Sequence, residues 1–569
     1  MKLSIKVAWI ETLVKKGFNR EELAEQTKWR SSEQYVDIVA ERFTEKELDA
    51  LYAVAKDAKD DKDPSQPAEG SVYLCRKIAM FRKLKADPAG VPIGTLQQLE
   101  TALRQYIGAS EHKWLFTEED DNVPVPYYVH KIDYQEANLR DDSPAHTTIS
   151  MAACRRSSRV VETVTFHTDD LQKKTVVELL QKRGFYLENP EVVADYMATV
   201  AVYKKLSPMT GEQFLARGTG LQQERRYYGN TVMAMERDGV PTRVVMDDRT
   251  EEDDERGHRD VAAISAVYWS DNATKRKFRG EDKEDVVVLV PVQPYVKVFD
   301  LQKHLFVDIH VGYLEPYVYD ATLIDKLVLP QTKKDLVGIL IQGSSEVLDD
   351  IVKGKTGGII VIATGPAGTG KTLTAEVFSE EVKRPLYAVQ CSQLGTSEEA
   401  LETKLQTILA RATRWKAILL IDEADVYVHE RGSDIQQNAI VGVFLRVLEY
   451  YRGIMFMTSN RSTIIDDAIM SRATAWIKYD YPSPSEAKAI WRVLAANYKL
   501  PLNAQQVDWL VTEFDSVSGR SIKNLLKLAR LLSAKQKKEI DMELFRYVAK
   551  FLDLEYAKKR KATDATPAA

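Results

Sequence analysis

The chain has 569 residues, 44% hydrophobic and 29% charged, and 84 acidic against 79 basic residues leave a formal net charge of −5. That length exceeds what one hydrophobic core fills, so several domains are expected. The acidic balance argues against a surface built to coat nucleic acid. The three cysteines, Cys75, Cys154 and Cys391, form no CxxC pair and suit a reducing compartment better than a disulfide framework. The apolar runs VVVLV (286–290) and IIVIA (359–363) are far short of the roughly 18 residues a membrane span needs. The opening MKLSIKVAWIETLVKK has no uninterrupted apolar stretch or small-residue cleavage site, so a cytoplasmic protein is expected.

In chain order, residues 1–110 are expected to be helical. SSEQYVDIVAERF carries apolar residues at helical spacing, Thr44 with Glu47 forms a capping-box pattern, and a further helix should follow Thr95. The polar stretch 57–71, with two prolines, predicts a linker or long loop. From 111 to 318 the period changes to a mixed, β-rich domain. VPYYVHKIDY, HTTISMAA and RVVETVTFH suit strands; KKTVVELLQKRG and PEVVADYMATVAVYKKL suit helices; TVMAMER, TRVVMDD, DVVVLVPVQ, YVKVFDL and HLFVDIHVGYL suit strands again. The acidic loop RTEEDDERGHRD (249–260) interrupts them. If 301–311 is one strand, His304, Asp308 and His310 share a face that could bind a metal, although a polar sheet face is the commoner outcome.

Residues 319–484 alternate helix and strand, beginning with KKDLVGILIQGSSEVLDDIV and GGIIVIATG, which predicts a parallel sheet with crossover helices. Residues 485–557 have helical patterns throughout. The tail 558–569, with Lys558, Lys559, Arg560 and Lys561, is expected to be disordered, and its basic run to be solvated rather than a nuclear signal or a nucleic-acid contact.

Chemistry concentrates in 365–372, GPAGTGKT, which fits G-x-x-x-x-G-K-[ST] between a buried strand and a helix. Its residues, Gly365, Pro366, Ala367, Gly368, Thr369, Gly370, Lys371 and Thr372, are expected to form a phosphate loop. The glycines let backbone N–H groups approach the phosphates at a helix N-terminus. Lys371 should reach the β- and γ-phosphates and Thr372 should ligate Mg²⁺. The strand AILLI ends in Asp422 and Glu423, one carboxylate for the metal and one to activate water. GIMFMTS ends at Asn460, an amide that could orient that water. Arg472, in IIDDAIMSRA, is a candidate finger toward a neighbouring subunit, and Arg520, in SGRSIKN, a candidate nucleotide contact.

The order GPAGTGKT, ILLIDEAD, MTSN, DDAIMSR and SGRSIKN resembles the AAA+ ATPases over roughly residues 320–535. RPLYAVQCSQLGTSEEALE and QNAIVGVFLRVLEYYRGIMFMTSNR look like the fungal-type AAA proteins, also found in bacteria. GEQFLARGTG and VDIHVGYLEPYVYDATLIDKLVLP look like the uncharacterised domain that precedes their ATPase core. The resemblance implies an α/β P-loop AAA+ core, a helical lid and a ring, usually of six, with ATP at the subunit interface. It implies that Lys371 and Thr372 are Walker A, Asp422 and Glu423 Walker B, Asn460 sensor 1, Arg472 the arginine finger and Arg520 sensor 2. A GRLD-type second arginine is absent after Arg472.

Threading relatives carry an aromatic residue and a glycine in the loop after the second core strand. This chain has Leu394-Gly395, with Glu398 and Glu399 beyond, and a second candidate pore loop at 427–437 with Tyr427, His429 and Arg431. The expected function is therefore an ATP-hydrolysing mechanoenzyme that remodels a protein partner held by its N-terminal domains, rather than a strong processive unfoldase. The alternatives are a nucleic-acid-associated ATPase of clamp-loader or helicase type and a slow ATP-dependent scaffold or sensor.

Overall fold

Helices begin where the sequence supplies a side-chain acceptor for the first free N–H groups. Thr95 caps Leu96–Gly108, Thr175 caps Val176–Lys182 in a capping box with Glu178, and Asn189 caps Pro190–Leu206. Thr44 and Glu47 bond reciprocally before Glu45–Asp60. The computed structural model describes residues 2–6, 9–16, 18, 35–39, 43–60, 74–79, 82, 92–119, 123–137, 143–155, 158–226, 229–235, 240–248, 275–279, 285–343, 358–394, 398–428, 435–449, 451–460, 465–514, 516–536, 539–552 and 554. The acidic loop 249–260, His429, Arg431, Gly395 and the tail 558–569 lie outside them.

The chain divides into two units, residues 1–210 with 214–316 and residues 211–213 with 317–569. In the first, Lys2–Lys6 pairs antiparallel with Tyr35–Val39 over a core of Leu3, Ile5, Ile38, Leu48 and Leu51. The N-terminal region is thus not all helical as expected. YVDIV reads as helix or strand over so short a run, and alternation with β-branched residues wins once a partner strand pairs with it.

Two larger sheets follow. In one, the strands run in the order Val292–Gln293, His146–Arg155, Val123–Gln135, Trp114–Glu119 and Phe185–Leu187, with Ser158–His167 also paired to His146–Arg155. Helices Leu96–Gly108 and Val176–Lys182 bury Leu99, Leu103 and Leu179 in the core of this sheet. In the other, the order is Gly229–Met235, Gly220–Arg226, Leu305–His310, Tyr295–Asp300, Thr242–Met246, Gln213–Ala216 and Leu314–Pro316. The strand expected over 301–311 begins only at Leu305. His304 sits before it at φ +56°, so the three-residue metal face does not form, and the described residues hold no such cluster.

The second unit is built on a five-stranded parallel sheet. Its strands, in chain order, are Ile359–Thr364, Leu386–Gln390, Ile418–Asp422, Ile454–Ser459 and Ala475–Lys478. In space they run second, third, fourth, first, fifth. The first, third and fourth are almost wholly buried, as strands of a covered parallel sheet are. The helix predicted from Lys333 runs over Gln331–Gly343, and 344–357 are outside the described residues. Helices Pro484–Asn497, Ala504–Glu513, Gly519–Gln536 and Met542–Ala549 form a lid with its own core around Trp491, Leu510, Leu526 and Phe545. No helix among the described residues is long and apolar enough to cross a membrane.

Candidate functional site

The first, third and fourth strands of the parallel sheet end at one edge, and the loops after them carry the polar residues that the strands themselves exclude. The first strand runs into 365–370 and then into helix Lys371–Glu381. Gly365 stands at φ +142°, and a Cβ there would run into the Tyr479 carbonyl. Gly368 stands at φ +77°, with the Cβ of Arg520 only 2.7 Å from where its own would lie. The tight path of this loop therefore needs glycine at both places.

Lys371 folds back over the loop. Its ammonium donates to the carbonyls of Gly365 at 2.7 Å and Pro366 at 2.8 Å, and to Asn460 Oδ1 at 3.0 Å. Burial lowers its pKa, while Asp422 and Asp425 pull it back up. The Thr372 hydroxyl donates to Asp422 Oδ1 at 3.0 Å. Thr458, on the fourth strand, bonds the same carboxylate oxygen. Asp425 accepts from Asn460 N–H at 3.1 Å and from the Ser459 hydroxyl. Glu423 is exposed at φ +56°.

Several of these groups line a cleft of about 730 Å³. Ala367, Gly368, Thr369, Gly370, Lys371 and Thr372 face it, as do Asp422, Glu423, Asn460 and Arg520. Arg520 enters from the lid: its N–H donates to the Gly368 carbonyl at 3.3 Å, at the start of Gly519–Gln536. Gly365 and Pro366 touch the cleft through Lys371 and are not among its lining residues. Arg472 is not among them either. It donates to the Ala468 carbonyl at 3.0 Å and lies 3.8 Å from Glu449.

Part of the cleft was not foreseen. Its lining also includes Lys326, Leu327, Val328, Leu329, Pro330 and Lys333, together with Tyr481, Ile490, Leu494 and Lys523. The only sequence signal was the apolar run LVL before a helix-starting proline, which equally suits a core segment. Cys391 bonds to the backbone of Glu423 without lining the cleft: its thiol donates to the Glu423 carbonyl at 3.0 Å. Burial, and then the charges of Asp425, Asp422 and Glu423, push that thiol up to about 12.

Leu394 differs from its expected place. It is fully buried at the end of the short helix Cys391–Leu394, which packs against Glu398–Arg414, so its side chain presents nothing to a passing chain. Tyr427, of the second candidate pore loop, is buried as well and donates to the Cys391 carbonyl at 3.1 Å.

A phosphate loop after the first strand of a parallel α/β sheet, with two carboxylates at the end of the third strand, one strand removed from it in the sheet, defines a P-loop nucleotide-binding domain. The family model described as "ATPase family associated with various cellular activities (AAA)" matches residues 361–481, and the chain carries an AAA ATPase domain there. The chain is 29% identical over 187 residues to the ATP-dependent zinc metalloprotease FtsH 3 of Sphaerobacter thermophilus, covering 31% of this chain and 38% of that protein. It is 26% identical over 208 residues to the chloroplastic ATP-dependent zinc metalloprotease FTSH 2 of Arabidopsis thaliana, covering 33% and 30%. The chain thus spans about a third of the length of these relatives, and no H-E-x-x-H zinc-peptidase motif occurs in its 569 residues. A chain of the E. coli MS115-1 HORMA:CdnC:Trip13 complex superposes with a TM-score of 0.32 at 19% identity, over 40% of this chain and 89% of that one.

Proposed function

We propose that this protein binds ATP with Mg²⁺ in the cleft over 365–372, hydrolyses it, and couples turnover to remodelling a protein partner. The observation that carries the reading is the convergence of Lys371, Thr372, Asp422, Glu423 and Asn460 at one sheet edge. Lys371 holds the β- and γ-phosphates, and Arg520 closes on them from the lid. Thr372 and Asp422 are hard oxygen donors 3.0 Å apart, which fits a cation that takes one or two protein ligands and completes its shell with phosphate and water. Bound there, the cation would offset charge on the phosphates. Glu423 accepts the proton of the attacking water, Asn460 orients that water, and attack in line at the γ-phosphorus releases ADP.

Arg472 acts on the nucleotide of a neighbouring copy in a homo-oligomeric ring, six-membered as the family resemblance implies. Its absence from its own cleft favours that role. The FtsH-type relatives, named as ATP-dependent proteases, favour a protein substrate. The three cysteines, none of them in a disulfide, suit a reducing, cytoplasmic compartment.

Binding of a fluorescent ATP analogue and phosphate release, measured side by side, test the reading. Lys371→Ala should lose nucleotide affinity at least a hundredfold. Glu423→Gln should keep affinity within threefold and lose turnover by about 10² or more. Affinity retained in Lys371→Ala, or ordinary turnover in Glu423→Gln, would remove the assigned roles.

A further inference from the structure

Glu423 sits where the third strand has ended. The ladder that pairs the third strand with the fourth stops at Ile421, and pairing with the second strand stops at Asp422. Regular sheet bonding therefore does not hold the Glu423 backbone, although its φ of +56° is one that residues with a Cβ rarely adopt. The peptide groups on both sides are held instead by side chains from two other segments. Its N–H donates to the Thr458 hydroxyl at 3.0 Å, and its carbonyl accepts from the Cys391 thiol at 3.0 Å.

The polarity of this arrangement is fixed. A backbone N–H can only donate, so the Thr458 hydroxyl accepts from Glu423 and must send its single proton elsewhere. The acceptor in reach is Asp422 Oδ1, so one hydroxyl joins the carboxylate of Asp422 to the amide of Glu423. The Thr458 carbonyl takes the next N–H, that of Ala424, at 2.8 Å. On the opposite side Cys391 is itself fixed. Tyr427 OH donates to its carbonyl at 3.1 Å, and its helix is anchored by the fully buried Leu394.

We infer that Thr458 and Cys391 are positioning residues for ATP hydrolysis, clamping the backbone of Glu423 from the fourth strand and from the segment after the second. The inference rests on the reading of Glu423 as the group that takes the water's proton. The clamp also ties the segment leading into 395–397 directly to Glu423, so a shift of that segment would move the glutamate.

Steady-state kinetics with ATP, alongside nucleotide affinity and thermal melting, test the clamp. Thr458→Val keeps the shape of the side chain and removes the hydroxyl. Its kcat should fall at least tenfold while ATP affinity stays within threefold, and Thr458→Ser should restore kcat to within threefold of the parent. Cys391→Ala should lose several-fold in kcat, recovered in part by Cys391→Ser. A parent-like kcat in Thr458→Val, or a loss of affinity as large as the loss of kcat, would overturn the inference. If Thr458→Val does not fold, the Cys391 pair decides by the same criteria. A parent protein that releases no phosphate from ATP removes the underlying reading; an active parent with an unaffected Thr458→Val removes only the clamp.

Discussion

At the scale of single residues, the phosphate loop depends on backbone conformations that side chains resist, and its glycines do so to different degrees. Gly365 combines φ +142° with a Cβ position blocked by the Tyr479 carbonyl, whereas Gly370, at φ +104°, faces open space. Gly370→Ala should therefore cost the backbone strain alone, about 1–3 kcal/mol. Gly365→Ala should cost that and the displacement of the fifth strand's end, so it should be the more destabilising by ~1 kcal/mol or more. Urea denaturation of the two variants checks the order; equal losses would mean the loop yields at Gly365. Both glycines were legible as parts of a motif. Thr458 and Cys391 were not, because nothing in MTSN or VQCSQL shows that their side chains meet at Glu423.

At the scale of elements, the strand Leu305–His310 ends in a buried titratable ring. Burial, reinforced by Arg155, pushes His310 from its usual 6.5 down to about 3. Its Nδ1 accepts from Gly312 N–H at 3.2 Å, as only an unprotonated nitrogen can, and the rings of Tyr295 and Tyr313 stand edge-on to it. Below about pH 6.5 the unfolded ring binds a proton that the folded ring refuses until about pH 3. The unfolded state then holds more protons, so stability falls as pH falls through that window, by at most ~1.4 kcal/mol per pH unit. Denaturant unfolding between pH 7 and pH 4.5 should show a shallower decline in His310→Asn than in the parent; parallel curves would mean the ring is protonated in the folded state. The strand itself was legible from its alternation, and so were the helix starts at Thr44 and Thr95, because capping is local chemistry. YVDIV was misjudged because its pairing partner, Lys2–Lys6, lies some thirty residues away and only that pairing settles the period.

At the scale of the whole molecule, the site is assembled from segments far apart in the chain. Lys371 meets Asn460 across 89 residues and Thr372 meets Asp422 across 50. Arg472 is not among the lining residues of its own chain's cleft, and the proposal that it serves the cleft of a second copy can be tested by mixing variants. Arg472→Ala and Glu423→Gln subunits, each inactive alone, should regain phosphate release when mixed, since some interfaces then pair an intact Glu423 with an intact Arg472. A mixture no more active than its components counts against the finger acting between copies. The sequence by itself determined the phosphate loop, the two carboxylates, the alternation of strand and helix and the caps at Thr44 and Thr95, because each is set by residues within a few positions of one another. Only the tertiary structure decided that Arg520 lies on Gly368, that Leu394 is buried, that Leu327–Leu329 and Ile490 wall the cleft, and that two side chains clamp Glu423. Strand order in the sheet and packing of the lid bring those groups together, and neither leaves a periodic or local trace in the chain.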